Sequence, residues 1–305
     1  MEDSKSAVIR QQIFEWLNQK VLEYPDEVLP YKELKEGFIY NGNSVPLMGP
    51  QGIFKPQVIK YFPISITTSP NSPYSDKISE DSTIKYKYRG KNPNFHENVR
   101  LKEAMKQKVP LIYFHGVVKG KYLAQFPVFI AFADDKSLTF TVEVDASNVS
   151  IWNSINNEEV NDPIMDEVLR RYASRETVIR LHQRTFREKV LYAYREHCAF
   201  CSLKHRELLD AAHIIPDSDG GKATVKNGIS LCKIHHAAFD KNILGINEDF
   251  VIEVRQDILE EVDGPMLKYG LQRLHHKKII LPRSIDMQPE KEFIKNRYEK
   301  FLMVV

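Results

Sequence analysis

The chain of 305 residues is 42% hydrophobic and 28% charged, with a formal net charge of +2. That composition excludes a disordered chain, and the near balance of charge means that any basic surface must be local. Three cysteines and a polar N-terminus, MEDSKSAVIRQQ, argue against a disulfide framework and a secretory leader, and no run approaches the roughly twenty apolar residues needed to span a bilayer.

In chain order, Val8, Ile9, Ile13, Phe14, Leu17 and Val21 recur with helical spacing, which predicts a helix over about 6–24. NGNSVPLMGPQGIFKP follows and reads as turns and loop; its glycines would let backbone approach a ligand such as DNA closely. From Tyr61 to about Val144 the runs YFPISITT, TIKYKY, LIYFHGVV, YLAQFPVFIAF and LTFTVEV are strand-like, with one helix expected around Asn98 to Lys108. This set predicts a curled sheet or open barrel with flanking helices. A polar stretch at Asn153 to Asp162 marks the expected boundary between a first domain, 1–155, and a second, 156–305. Helical pattern then resumes, decorated by Arg175, Arg180, Arg184, Arg187 and Arg195, and leads into Cys198. Arg184 and Arg187 are candidate phosphate contacts; the alternative is the solvated face of a helix.

The segment 198–242 is the densest in chemistry. Cys198-x2-Cys201 and Cys232-x2-His235 are two short chelating pairs of the kind that close a tetrahedral Zn²⁺ site. Four protein ligands leave no open position, so the expected zinc is structural. Between and beside the pairs stand His213, Asn227 and His236. In this order, on an expected strand (LLDAAHII), loop (PDSDGGKATVKN) and helix beginning around Leu231 to Ile234, the segment resembles the HNH, or ββα-metal, endonuclease family. The resemblance implies phosphodiester hydrolysis. His213 would be the general base, Asn227 would orient it directly or by fixing the loop, and His236 would hold a catalytic Mg²⁺ or Mn²⁺. Many family members carry a metal ligand directly before the base; that position is Ala212 here. Asp210, on the same strand face as Ala212, is the substitute. Asp240, four after His236, is either part of this cluster or a helix-end hydrogen-bond partner.

The run PYSDKISEDSTIKYKYRG is similar to the SRA domain, a PUA-like fold that binds modified cytosine flipped out of the duplex. The resemblance implies base-binding roles for Tyr74, Asp76 and Tyr88, with Tyr86 and Tyr113 as alternative aromatic walls. Stacking on two rings offsets the cost of flipping, and a carboxylate can accept from the cytosine amine. Arg89 and Lys77 depart from that family's pattern, and a related PUA- or EVE-like barrel is the alternative.

The expected whole is α+β: an SRA-like curled sheet, a helical segment, then a zinc-stapled ββα-metal domain. Its expected function is cleavage of double-stranded DNA containing 5-methyl- or 5-hydroxymethylcytosine by a cytoplasmic enzyme, with no membrane partner. One centre cuts one strand, so a homodimer is expected for a double-strand break. The rivals are an HNH nuclease reading another nucleic-acid feature and a non-cutting, zinc-stapled DNA-binding protein.

Overall fold

The computed structural model describes residues 4–70, 83–144 and 179–304. Tyr74, Asp76, Arg175 and the expected boundary at 153–162 lie outside the described residues. The chain divides into two compact units, Met1–Leu181 and His182–Val305. Among the described residues no helix is long and apolar enough to cross a membrane.

The first unit is a curled half-barrel sheet between two helices. Helix α1 (Ser4–Leu22) buries Ile9, Ile13, Leu17 and Val21, the stripe that its helical periodicity predicts. Strand β1 (Val28–Pro30) and the short helix α2 (Tyr31–Glu36) follow. The expected loop at 41–56 contains two short strands: β3 (Asn43–Val45), paired with β2 (Phe38–Tyr40), and β4 (Ile53–Phe54). Runs of two and three residues between glycines and prolines carry too little alternation to be read as strands.

The remaining strands are β5 (Ser65–Thr68), β6 (Ile84–Lys87), β7 (Leu111–Val118), β8 (Lys121–Asp134) and β9 (Thr139–Val144). The sheet runs β4-β5-β7-β8-β9-β6, with β1 added on β8. Among the described residues, only β5 and β7 pair in parallel. Register shifts in β7 and between Ile130 and Phe132 of β8 bend the long hairpins, as bulges do. Strand β7 is almost wholly buried because both its faces are covered. Ile112 and Phe114 pack with the α1 residues, whereas Leu111 and Tyr113 pack with Leu101 of α3 (His96–Lys106).

The second unit is built on a ββα core. Helix α4 (179–193) supplies Phe186, Val190 and Leu191 to a cluster that also holds Leu209, Ile229, Leu231 and Phe239. Strands β10 (Leu209–His213) and β11 (Gly228–Cys232) pair antiparallel, with Leu209 opposite Cys232 and His213 opposite Gly228. Helix α5 (Lys233–Asp240) begins at once after β11. The expected loop thus ends in a second strand, GISLC. All five of its residues are buried, so it lacks the alternation that marks a half-exposed strand. A hairpin of β12 (Leu244–Ile246) and β13 (Ile252–Val254), a short helix α6 (Gln256–Glu260) and the terminal helix α7 (Lys291–Leu302) complete the unit.

Candidate active site

Two clusters flank α5, and consecutive residues of that helix, His235 and His236, belong to one each. The first cluster is Cys198, Cys201, Cys232 and His235, whose ligand atoms all lie within 4.8 Å of one another. The His235 Nδ1 atom is 3.4 Å from Cys198 Sγ and 3.2 Å from Cys232 Sγ. A tetrahedral zinc with ordinary bond lengths sets such N···S edges at about 3.6 Å, so the donor set fits the ion in type and spacing. The other ring nitrogen, Nε2, donates to the Gly270 carbonyl at 2.7 Å, which fixes the tautomer that leaves Nδ1 for the metal. Hydrogen bonds from Cys198, Cys201 and His235 push the Cys232 thiol far below its usual range, toward the thiolate that zinc requires. A Cys3His group able to hold zinc is therefore present.

The second cluster lies around His236. Its Nδ1 is 3.8 Å from Asp210 Oδ2 and its Nε2 is 3.3 Å from Asp240 Oδ2. Strand β10 supplies Asp210, and one turn of α5 separates His236 from Asp240. All three side chains are partly exposed, so solvent and a ligand can reach them. Two carboxylates and an imidazole are a donor set suited to a divalent cation.

His213 ends β10, and its ring lies flat on Phe186, with centroids 4.1 Å apart and planes at 20°. Burial pushes its pKa below the ordinary histidine value and His236 adds to this, while Asp217 and Asp240 pull it up. The net effect keeps the imidazole neutral at pH 7, the state in which it can accept a proton.

Asn227 is buried and does its work on the backbone. Its Nδ2 donates to the carbonyls of Ile215 and Lys222, both at 3.0 Å, and its Oδ1 accepts from the Ile215 N–H at 2.9 Å. This closes the loop that leaves His213. Gly221 is required there, because a Cβ would stand 1.9 Å from the Ile215 carbonyl oxygen and 2.9 Å from the Asn227 amide. Gly220 ends the preceding turn at φ +80°, in the left-handed region.

Two candidate contacts have other work. The Arg187 guanidinium donates to the Leu209 carbonyl at 2.7 Å and the Arg206 carbonyl at 3.2 Å, and its Nε lies 3.5 Å from Asp210 Oδ1. It therefore braces β10 and the far oxygen of Asp210 rather than reaching outward for phosphate. Arg184, one turn earlier, is partly exposed. In the first unit, Tyr88 is 6% exposed. Its ring stacks on Phe140 at 4.2 Å, Lys102 lies 5.3 Å over the ring, and its hydroxyl donates to Asp135 at 2.7 Å. Tyr88 is thus packed as a core aromatic, and Tyr86 and Tyr113 are buried as well. The Pro50–Lys55 loop does line a cavity of about 220 Å³, together with Pro63, His96, Glu97 and Arg100. Burial, and then the charge of Arg100, push the Lys55 pKa down.

Sequence reasoning missed the C-terminal helix. Arg297 of α7 is buried, donates to the Phe239 carbonyl at 2.6 Å and lies 4.8 Å over the Phe239 ring. Lys300 pairs with Asp219 in the loop after His213. The only signal available was the amphipathic spacing of Phe293, Ile294, Arg297 and Phe301, which shows a packed helix but not what it packs on.

A ββα unit with a Cys3His group able to hold zinc, one imidazole at the end of its strand and a second flanked by carboxylates on its helix has the donor groups of a metal-dependent nuclease. The HNH endonuclease family matches residues 198–247, so this segment is an HNH endonuclease domain. No curated protein matches the chain. Two solved structures are distantly similar. "Modification dependent TagI restriction endonuclease" is 14% identical, with a TM-score of 0.27 over 79% of this chain and 82% of that one. "Structure of the Type IV phosphorothioation-dependent restriction endonuclease ScoMcrA" is 13% identical, with a TM-score of 0.22 over 78% of this chain, which spans half of that one.

Proposed function

We propose that the protein is an endonuclease of duplex DNA in which the C-terminal unit cuts and the N-terminal unit directs cutting to DNA bearing a modified cytosine. The observation that carries the first half is the ββα segment matched by the HNH endonuclease family, whose strand β10 carries Asp210 and His213 and whose helix α5 brings His236 to Asp210 and Asp240. One ring nitrogen of His213 takes a proton from water as the water oxygen attacks phosphorus, and the bond to the sugar oxygen breaks. Phe186 holds the plane of that ring, and Asn227 holds the loop behind it. Asp210 and His236, with Asp240, would hold Mg²⁺ or Mn²⁺, which when bound stabilises charge on the phosphate and the departing oxygen. The cysteine cluster holds structural Zn²⁺, and Arg184 is the arginine assigned to phosphate.

The second half rests on the likeness of the 73–90 run to the SRA domain and on the cavity beside the Pro50–Lys55 loop, which supports a ligand-binding role for this unit. Tyr74 and Asp76 are the residues assigned to the base; Tyr88, packed on Phe140, serves the core of the same unit. Two copies acting together would break both strands.

The test compares cleavage of otherwise identical duplexes carrying cytosine, 5-methylcytosine, 5-hydroxymethylcytosine or glucosylated cytosine, with added Mg²⁺ or Mn²⁺. Cutting of one modified duplex, lost in His213→Ala with zinc retained, is the expected result. Equal cutting of all four overturns the reader assignment. Undiminished cutting by His213→Ala overturns the assignment of the base.

A further inference from the structure

Between Gly264 and Arg283 the chain contains no Asp or Glu. It carries Lys268, Arg273, Lys277 and Lys278, all exposed. Among the described residues none of these four makes an ion pair. Elsewhere in the same unit, Arg187, Arg206, Lys226, Arg255 and Lys300 each lie against a carboxylate. The acids that precede the segment, Glu260, Glu261 and Asp263, are exposed and do not reach these cations at ion-pair distance.

The segment also has a built face. Tyr269 is 55% exposed. The Arg273 guanidinium lies 4.3 Å over its ring and the Lys268 ammonium 5.9 Å from it. Stacking of this kind holds an arginine extended, with its donor edge outward. The backbone beneath is pinned. The Gly270 carbonyl accepts from His235 at 2.7 Å, the Gln272 amide donates to the Ile258 and Glu261 carbonyls at 2.8 Å, and the His276 N–H donates to the Ile252 carbonyl at 2.9 Å. An anchored backbone carrying exposed cations, two of them set over a half-exposed aromatic ring, is suited to a polyanion.

We infer that Lys268 and Arg273, set against Tyr269, together with Lys277 and Lys278 further along the same acid-free segment, grip the sugar–phosphate backbone of duplex DNA; the inference rests on the DNA-endonuclease reading. The segment is anchored to the cysteine cluster through the bond from His235 to the Gly270 carbonyl. Charges recur along each DNA strand every ~3.4 Å of axis, so a strand lying along the segment would present several phosphates to it. The zinc site then has a second task, since it fixes the surface that holds the substrate as well as the helix that carries His236.

The experiment measures binding of a fluorescent duplex DNA by anisotropy across salt concentrations, using the zinc-loaded His213→Ala protein so that nothing is cut. In that background Arg273, Lys277 and Lys278 are changed to Ala together. Three lost phosphate contacts flatten the slope of log affinity against log salt by about 2.7, so the parent's advantage shrinks about 40-fold between roughly 50 and 200 mM salt. Lys291→Ala with Lys295→Ala on α7 is the charge control and is expected to leave slope and affinity near the parent's. If the parent binds and the triple variant matches it in affinity and slope, or if the control falls equally, the inference is overturned. If the parent itself fails to bind duplex DNA, the endonuclease reading falls first. Should the triple variant lose zinc, the Lys277→Glu, Lys278→Glu variant carries the same test, because both side chains are exposed and support no core residue.

Discussion

Replacing Arg297 by Met removes one guanidinium and keeps the apolar stem. The guanidinium donates to the last-turn carbonyl of Phe239 at 2.6 Å and covers that ring at 4.8 Å. A charged hydrogen bond to a buried carbonyl contributes about 1.5–3 kcal/mol, and a partly desolvated cation–π contact about 0.5–2 kcal/mol. Against this, burial pushes the Arg297 pKa down, with the charges of Asp240 and Asp219 opposing the shift. Met escapes that desolvation cost and recovers part of the loss. A net destabilisation of about 2 kcal/mol remains, which lowers the melting temperature of a unit the size of His182–Val305 by about 8 °C. Helix α5 carries both His236 and Asp240, so nicking measured well below the melting point should fall as well, while zinc content holds. Thermal melts of the zinc-loaded protein and a plasmid-nicking assay read the two effects. A melt within about 2 °C of the wild type and an unchanged nicking rate would refute the view that α7 braces the site.

The other predictions concern the centre itself. Because the His213 pKa lies below the free value, its base form predominates from neutral pH upward. The rate should therefore fall only as pH drops below about 6.5, and Phe186→Ala, which removes the covering ring, should move that acid limb upward. A pH profile identical in the two proteins would contradict this. Cys232→Ser should abolish zinc binding, read by metal analysis, and prevent cooperative folding of the second unit, because a structural zinc contributes about 10–16 kcal/mol, as much as a domain's whole stability. Full nicking without bound zinc would count against a structural role. Asn227→Leu strands the Ile215 N–H and the Ile215 and Lys222 carbonyls, so nicking should drop at least tenfold with zinc retained, given the roughly 1–3 kcal/mol for each buried group left unpaired. An unaltered rate would mean that the loop needs no clamp.

What the sequence disclosed depended on how local the signal was. Cys198-x2-Cys201 and Cys232-x2-His235 are chelating pairs within single turns, so residue type and spacing alone pointed to them. The order of His213, Asn227 and His236 was legible through its resemblance to the HNH family, not through spacing within one turn. Strand β11 was not, because burial on both faces erases the period-two pattern. Arg187 illustrates a different limit. Helical spacing puts it on a basic stripe, but its partners, the Leu209 and Arg206 carbonyls, lie about twenty residues away and leave no pattern around it. Tyr88 shows that an aromatic in a strand-end motif can serve the core, with Phe140 stacked on its ring and Lys102 lying over it. Arg297 is the extreme case, since its bond to Phe239 spans 58 residues.

The two metal-ligating clusters are coupled through geometry rather than contact. Consecutive residues on an α-helix point about 100° apart, so pinning His235 to the sulfurs turns His236 toward β10. The strand pair adds the second constraint. The register that sets Leu209 opposite Cys232 also sets Asp210 opposite Leu231, so the hairpin that delivers one zinc ligand also delivers the carboxylate that meets His236. A slip of one residue would carry Asp210 to the opposite face and pull Cys232 out of the staple in the same movement. Zinc held at the end of β11 and the first turn of α5 would therefore oppose the two errors that would disperse the cutting centre, rotation of the helix and slippage of the strand.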